Sequence, residues 1–211
     1  MTKPSAKILK LTKVFNGFLS VSELEIEADR HDGGKKVFKW QVMERGHAVT
    51  MLGYDPIRDE VVLGNEMRPG VLVAGDYPYT DNLPAGGMAK GENAIDTAVR
   101  EMKEETGLDL KDPVVVHPGL YVSSGGTSEK IAIVFGVVDM TKAGGVHGLV
   151  SEGESIGTVV LKADEFLRRV RSAEINDMKT AVAGYWLAEN RDRIRRDYAP
   201  KAACPKGPTA A

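Results

Sequence analysis

Glu101, Glu104 and Glu105 lie on a stretch whose periodicity predicts one helix over 93–106, opened near Glu92-Asn93 and stopped by Gly107. Side chains three and four residues apart stand on neighbouring turns, so the three carboxylates share one arc. Each like-charge pair there destabilises an isolated helix by about 0.2–0.5 kcal/mol. A cation reverses that sign, and hard carboxylate oxygens suit Mg²⁺, with Mn²⁺ a second possibility. The glycines ahead of the helix, Gly86 and Gly87, allow backbone to approach the same ion. Three glutamates are also what a solvated helix face carries, and these residues alone leave both readings open.

The wider spacing narrows the choice. Gly86 is followed after five residues by Glu92, after seven more by Arg100-Glu101-Met102, after one by Glu104-Glu105, and after one by Gly107-Leu108. Over these 23 residues the pattern resembles the Nudix hydrolase signature at every defined position. The resemblance implies an α/β fold, an α/β/α sandwich around a mixed sheet. Its glutamates would hold divalent cations that activate cleavage of a nucleoside diphosphate linked to another moiety. It further implies that Glu101 and Glu105 are the principal metal ligands. Glu104 would be a further ligand or a support for water on the metal, and Ala85 would offer its backbone carbonyl. Glu92 would be secondary, and Arg100 would orient a motif glutamate through a salt bridge.

Outside the signature, the segments 17–34, 44–63, 121–139 and 145–156 look like the bacterial ADP-ribose pyrophosphatase branch, so the likeness extends over roughly residues 17–190. That branch implies Mg²⁺-dependent hydrolysis of ADP-ribose to AMP and ribose 5-phosphate, by a homodimer whose N-terminal strands cross to the partner and complete the adenosine pocket. Glu152, on a glycine-flanked loop, would be the general base, and Glu154 a neighbouring ligand or alternative base. Arg68 resembles the arginine that contacts substrate phosphate. Glu129 resembles the residue that meets the terminal ribose, with Gly125 and Gly126 permitting close approach. Phe38 and Trp40 would stack on the base, or else form dimer core. His147 is expected to pack its loop.

One departure stands out: related enzymes carry a glutamate shortly before the Ala-Gly of the motif, where this chain has Asn82-Leu83-Pro84. Hydrolysis of another nucleoside diphosphate sugar such as GDP-mannose, and a non-catalytic nucleotide-sensing module, remain alternative readings.

The elements that must position these residues follow from the pattern. Strands are predicted at 8–15, 18–28 and 37–44, with Phe38, Trp40 and Val42 on one side of the third. The pieces 47–54 and 60–67 flank Asp55-Pro56-Ile57-Arg58-Asp59 as a hairpin. Residues 69–85, rich in Pro, Gly and Asp, read as a long loop around a short extended segment. Strands follow at 113–123, 129–140 and 156–162, a second loop at 144–155, and helices at 163–170 and 176–195. On the 93–106 helix, Ile95, Ala98, Val99, Met102 and Thr106 form the expected buried stripe, with the glutamates on another arc.

Three regions are expected: strands for dimerisation and substrate binding at 1–45, a hydrolase domain at 46–198 and a flexible tail at 199–211. With 211 residues, 42% hydrophobic and 27% charged, the chain has the balance of one globular domain with an appendage. A formal net charge of -2 gives no drive toward nucleic acid. Cys204 is the only cysteine, which excludes an intramolecular disulfide. The longest apolar run, at 131–138, is too short to span a bilayer, and no secretory signal is legible at the start. The expectation is a cytoplasmic protein that binds neither membrane nor nucleic acid.

Overall fold

The computed structural model describes residues 3–199; the expected tail at 199–211, with Cys204, lies outside the described residues beyond Ala199. Two sheets organise the chain. The first is an antiparallel meander of β1 (Ala6–Asn16), β2 (Ser20–Asp29) and β3 (Lys35–Glu44). Its register places Leu11 opposite Leu24, and Leu24 opposite Trp40. Every residue of β1 is exposed, including Ile8, Leu11 and Phe15. The sheet joins the rest of the molecule through β3, where Met43 N–H donates to the Gly126 carbonyl at 2.8 Å and Ser128 N–H to the Met43 carbonyl at 3.3 Å.

The second sheet is built from β4 (Ala48–Asp55), β5 (Glu60–Met67), β6 (Tyr79–Asn82), β7 (Ala85–Gly87), β8 (Lys111–Tyr121), β9 (Lys130–Val137), β10 (Val146–His147) and β11 (Ile156–Lys162). The order is β10-β11-β5-β4-β9-β8, with β6 beside β5 and β7 beside β4. β4 and β9 run parallel while β4–β5, β8–β9 and β5–β11 are antiparallel, so the sheet is mixed. The turn between β4 and β5 forms where expected: Asp55 Oδ1 accepts the N–H of Ile57 and of Arg58, each at 3.0 Å, which closes the turn locally.

Successive strand residues point to opposite faces. Met51, Val62 and Val134 pack on one side with α2 (Ala94–Thr106). Their neighbours Leu52, Leu63 and Ile133 pack on the other with α3 (Ala163–Arg171) and α4 (Met178–Asp197). The result is the three-layer α/β/α arrangement. A strand such as β4, buried on both faces, reads as a nearly continuous apolar run rather than an alternating one.

Two expectations need correction. Within the predicted loop at 69–85, Pro69–Ala74 forms a short helix, α1, ahead of β6. Proline at its start has φ set for a helix, and Gly75, at φ 86°, ends it. On α2 the buried stripe is rotated toward the glutamates. Ala98, Met102 and Thr106 are buried as expected, but Ile95 and Val99 are 36% and 40% exposed while Glu105 is 5% exposed. Apolar spacing alone places the stripe's centre near Met102. The carboxyl of Glu105 finds a backbone partner beneath the helix, which lets a charged residue occupy the inner face.

Candidate active site

The floor of the site is where α2 crosses β7. Asn93 caps the helix by accepting the N–H groups of Ile95 and Asp96, each at 3.0 Å. Gly107 closes it at φ 71°. Between these ends Glu105 Oε2 accepts the N–H of Ala85 at 3.0 Å. Glu101 lies directly over Gly86: a Cβ at that position would come within 1.9 Å of the Glu101 carboxyl carbon. Only glycine lets helix and strand approach this closely.

These carboxylates stand in a medium that disfavours their charge. Burial pushes Glu105 up to about 8 against the pull of the Ala85 N–H, and the charges of Glu101 and Glu154 add to the effect. A displacement of this size corresponds to roughly 5 kcal/mol against the ionised form. Glu101 is also raised, by burial first and then by Glu104 and Glu154, with Arg100 opposing. Arg100 spans the group, with Nη1 2.8 Å from Glu101 and 2.9 Å from Glu104, and its Nε 3.4 Å from Glu92. Glu92 in turn accepts the Ala89 N–H at 3.0 Å, which together with Arg100 holds its carboxyl below the usual range. Arg100 thus holds more than one motif glutamate.

Among the described residues no group of three or more His, Cys, Asp or Glu side chains is already gathered tightly enough to hold a metal ion. The donor set nevertheless fits a hard divalent cation. Glu105, buried and raised in part by the charges of Glu101 and Glu154, and the half-buried Glu101, raised in part by Glu104 and Glu154, sit beside a carbonyl-bearing turn, and a cation among them offsets the penalty that burial imposes.

The loop at 144–155 approaches from the C-terminal end of α2. Gly148 N–H donates to the Glu104 carbonyl at 3.0 Å, and the His147 ring rests on Gly107, with His147 Nε2 2.8 Å from the Gly144 carbonyl. His147 therefore packs its loop. Glu154 Oε2 accepts the Leu149 N–H at 3.0 Å while its charge acts on both Glu101 and Glu105. Glu152 is exposed on the short turn between them.

Beside this floor opens a cavity of about 570 Å³. Its walls include Ala85, Gly86, Arg45, Arg68, Glu129 and Lys179. Arg68 pairs with Glu66 at 2.8 Å, and buried Glu129 lies 3.6 Å from Arg45. The departure at Asn82 falls here as well. Oriented to satisfy both its ends, the Asn82 amide accepts from Arg68 Nε at 3.2 Å, so a neutral group supports the arginine.

Arg45 and Lys179 escaped the sequence reading because nothing nearby in the chain marks them. Lys179, at the start of α4, pairs with Asp177 at 2.8 Å and reaches the cleft only through the packing of α4. Gly125, Gly126 and Trp40 line a different, shallower cavity. There the Trp40 indole N–H donates to the Gly125 carbonyl, and the Phe38 ring meets Trp40 edge-on with centroids 6.4 Å apart. Within one chain, then, the two glycines receive β3, and neither aromatic ring lines the cleft beside Ala85 and Gly86.

A NUDIX domain model matches residues 58–147. ADP-ribose pyrophosphatase of Escherichia coli (strain K12) is 32% identical over 200 residues, covering 93% of this chain and 94% of that protein. The chain belongs to the Nudix hydrolase family. ADP-ribose pyrophosphatase of Haemophilus influenzae is 28% identical, with 91% of this Nudix chain and 90% of that one covered. GDP-mannose pyrophosphatase of Salmonella typhimurium is 26% identical over 167 residues, 79% of this chain and 86% of the relative. Among solved structures, that of an ADP compounds hydrolase superposes with a TM-score of 0.68 at 20% identity, covering 92% of this chain and 98% of that one, a likeness of fold. Membership of the Nudix family implies a mechanism that depends on a divalent metal. No helix among the described residues is long and apolar enough to cross a membrane.

Proposed function

We propose that this chain hydrolyses the diphosphate of ADP-ribose to AMP and ribose 5-phosphate in a Mg²⁺-dependent reaction. The observation that carries the reaction class is the pair Glu101, half-buried, and Glu105, buried, packed against Gly86 and Ala85 beside a cleft that presents Arg45, Arg68 and Lys179. Carboxylates that need a cation, beside three cationic side chains, match a diphosphate and its metal. The choice of ADP-ribose is supported by the end-to-end likeness to relatives of that name, greater in both identity and coverage than that to the GDP-mannose enzymes.

Glu101, Glu105, Glu104, Glu154 and the Ala85 carbonyl would hold the Mg²⁺, or Mn²⁺ in its place. Bound there, a divalent cation supplies neutralisation of the diphosphate and a lowered pKa for the attacking water. Arg68 holds phosphate oxygens through its planar fork, kept in place by Glu66 and Asn82. Glu152 takes the proton as water oxygen bonds to phosphorus and the bridging P–O bond breaks, its loop supplying the movement required. Glu154, held to Leu149 and already acting on Glu101 and Glu105, belongs with the ligands. Glu129 and Arg45 face the terminal ribose side of the cleft.

The functional unit is a homodimer in which β1–β3 meet the partner. An exposed β1 bearing Ile8, Leu11 and Phe15, with Phe18 98% exposed in the following turn, supports this: a lone sheet with such a surface lacks a core. In the dimer Trp40 and Phe38 would flank the partner's adenine pocket. The deciding experiment is a Mg²⁺-dependent hydrolysis panel of ADP-ribose, GDP-mannose and ADP-glucose with both products identified, run beside Glu105→Gln. AMP and ribose 5-phosphate from ADP-ribose, lost in the variant, is the expected result. Faster turnover of GDP-mannose selects the alternative sugar, and binding without turnover selects the sensing module.

A further inference from the structure

The strand that carries Ala85 is held in place from α4. Leu83 N–H donates to Thr180 Oγ1 at 3.0 Å, a bond between residues 97 apart in the chain. Pro84 has no N–H, so Leu83 and Ala85 are the only backbone donors of the stretch 83–85. The Ala85 donor is committed to Glu105 and the Leu83 donor to Thr180. On the acceptor side the Pro84 carbonyl takes Thr50 Oγ1 at 3.0 Å and Met51 N–H at 2.9 Å. Ala85, and through it Glu105, is thus held by β4 through the Pro84 carbonyl and the β4–β7 pairing, and on the donor side of the preceding residues by one hydroxyl from a distant helix.

That hydroxyl is itself oriented. Thr180 is fully buried, and its Oγ1 donates to Asp177 Oδ2 at 2.6 Å, which turns a lone pair toward Leu83. Asp177 also caps α4 by accepting the Thr180 N–H at 3.0 Å, and it pairs with Lys179 at the cleft wall. Helix capping alone needs only the backbone bond. The second bond, onward through Thr180 to the residue before Pro84, ties the cap to the floor of the site.

We propose that Thr180 is a positioning residue for divalent-cation binding, acting through Leu83 and Ala85 on Glu105, with Asp177 setting the direction of its hydroxyl. This rests on the assignment of Glu105 as a metal ligand. The test is titration of Mn²⁺ into the metal-free full-length chain, followed by paramagnetic resonance or calorimetry well below the melting temperature, together with kcat and KM for ADP-ribose. Thr180→Val, which keeps shape and removes the hydroxyl, is expected to weaken Mn²⁺ binding about tenfold and to lower kcat in parallel, as losses of groups that orient metal ligands do. KM should change little, and Thr180→Ser should restore both quantities.

Unchanged Mn²⁺ affinity and kcat in Thr180→Val, with only a lower melting temperature, would reduce Thr180 to a packing residue and overturn the proposal. If Thr180→Val does not fold, Thr180→Ala decides instead: it removes the hydroxyl without asking the buried site to take a second methyl, and unchanged Mn²⁺ affinity there overturns the proposal equally. Glu105→Gln serves as the control. If it too binds Mn²⁺ like the wild type, the metal assignment fails and takes the proposal with it; if it alone weakens binding, only the link through Thr180 fails.

Discussion

The carboxylate of Glu105 and the backbone N–H of Ala85 meet at 3.0 Å, joining the inner face of α2 to the strand residue that follows Pro84. The bond holds a nearly buried carboxyl beside Glu101. Replacing Glu105 with Gln keeps an acceptor for Ala85 and removes only the charge. Turnover of ADP-ribose should fall by about two to three orders of magnitude. The circular dichroism spectrum should stay that of the wild type; near-normal kcat would contradict the assignment.

Metal removal gives a second check. Burial and neighbouring carboxylates raise Glu101 and Glu105, so a cation among them should favour the folded chain, and mass action sets the gain at roughly 2.7 kcal/mol at a hundredfold excess over Kd. Melting temperature should rise with added Mg²⁺ and return on chelation. In Glu101→Gln and Glu105→Gln the rise should be largely lost.

The two loop glutamates should separate in kinetics. Glu152 is exposed, whereas Glu154 binds Leu149 and acts on the buried pair. Glu152→Gln should lower kcat with Mg²⁺ half-saturation little changed, by the 10²–10⁴-fold or so typical of a lost general base. Glu154→Gln should raise the Mg²⁺ requirement. The reverse pattern would exchange the two roles.

Away from the site, Asp59 offers a pH signature. Burial alone would raise its carboxyl, but Arg191, the Tyr54 hydroxyl and Arg195 outweigh that and hold it below the usual range. A depressed acid contributes stability that is present above its unfolded value, 3.8, and is lost as pH falls through the folded one. Asp59→Asn also suits the local φ of 60°. It should cost about 1–3 kcal/mol at neutral pH by chemical denaturation, and the gap should close as pH drops below the unfolded value. A gap independent of pH would show that the charge contributes nothing.

The exposed β1 surface predicts the assembly. Leu11→Glu combined with Phe15→Glu should convert a dimer into a monomer by light scattering and reduce turnover with it. A monomeric wild type would remove the basis for strand contact between subunits.

Much of this was legible because the decisive information is local. The spacing from Gly86 to Leu108 depends only on helix geometry, so the ends of α2, its cap at Asn93 and its stop at Gly107 could be read before any packing was known. The β4–β5 turn was equally local, since Asp55 bonds within its own turn. Periodicity misled at Ile95, Val99 and Glu105. Hydrophobicity ranks a carboxyl as exposed and knows nothing of the Ala85 N–H waiting beneath it.

Local pattern was enough for the family, for the run of glutamates on α2 and for most of the strands and helices around them, α1 excepted, because each follows from neighbours a few residues apart. Folding in three dimensions set the rest: which glutamate is buried, that Arg45 and Lys179 share the cleft with Arg68, and that Thr180 bonds Leu83 just ahead of β7. Those relationships join residues as far apart in the chain as Arg45 and Lys179, and contacts at such separation are set by how the layers pack, which no local pattern records.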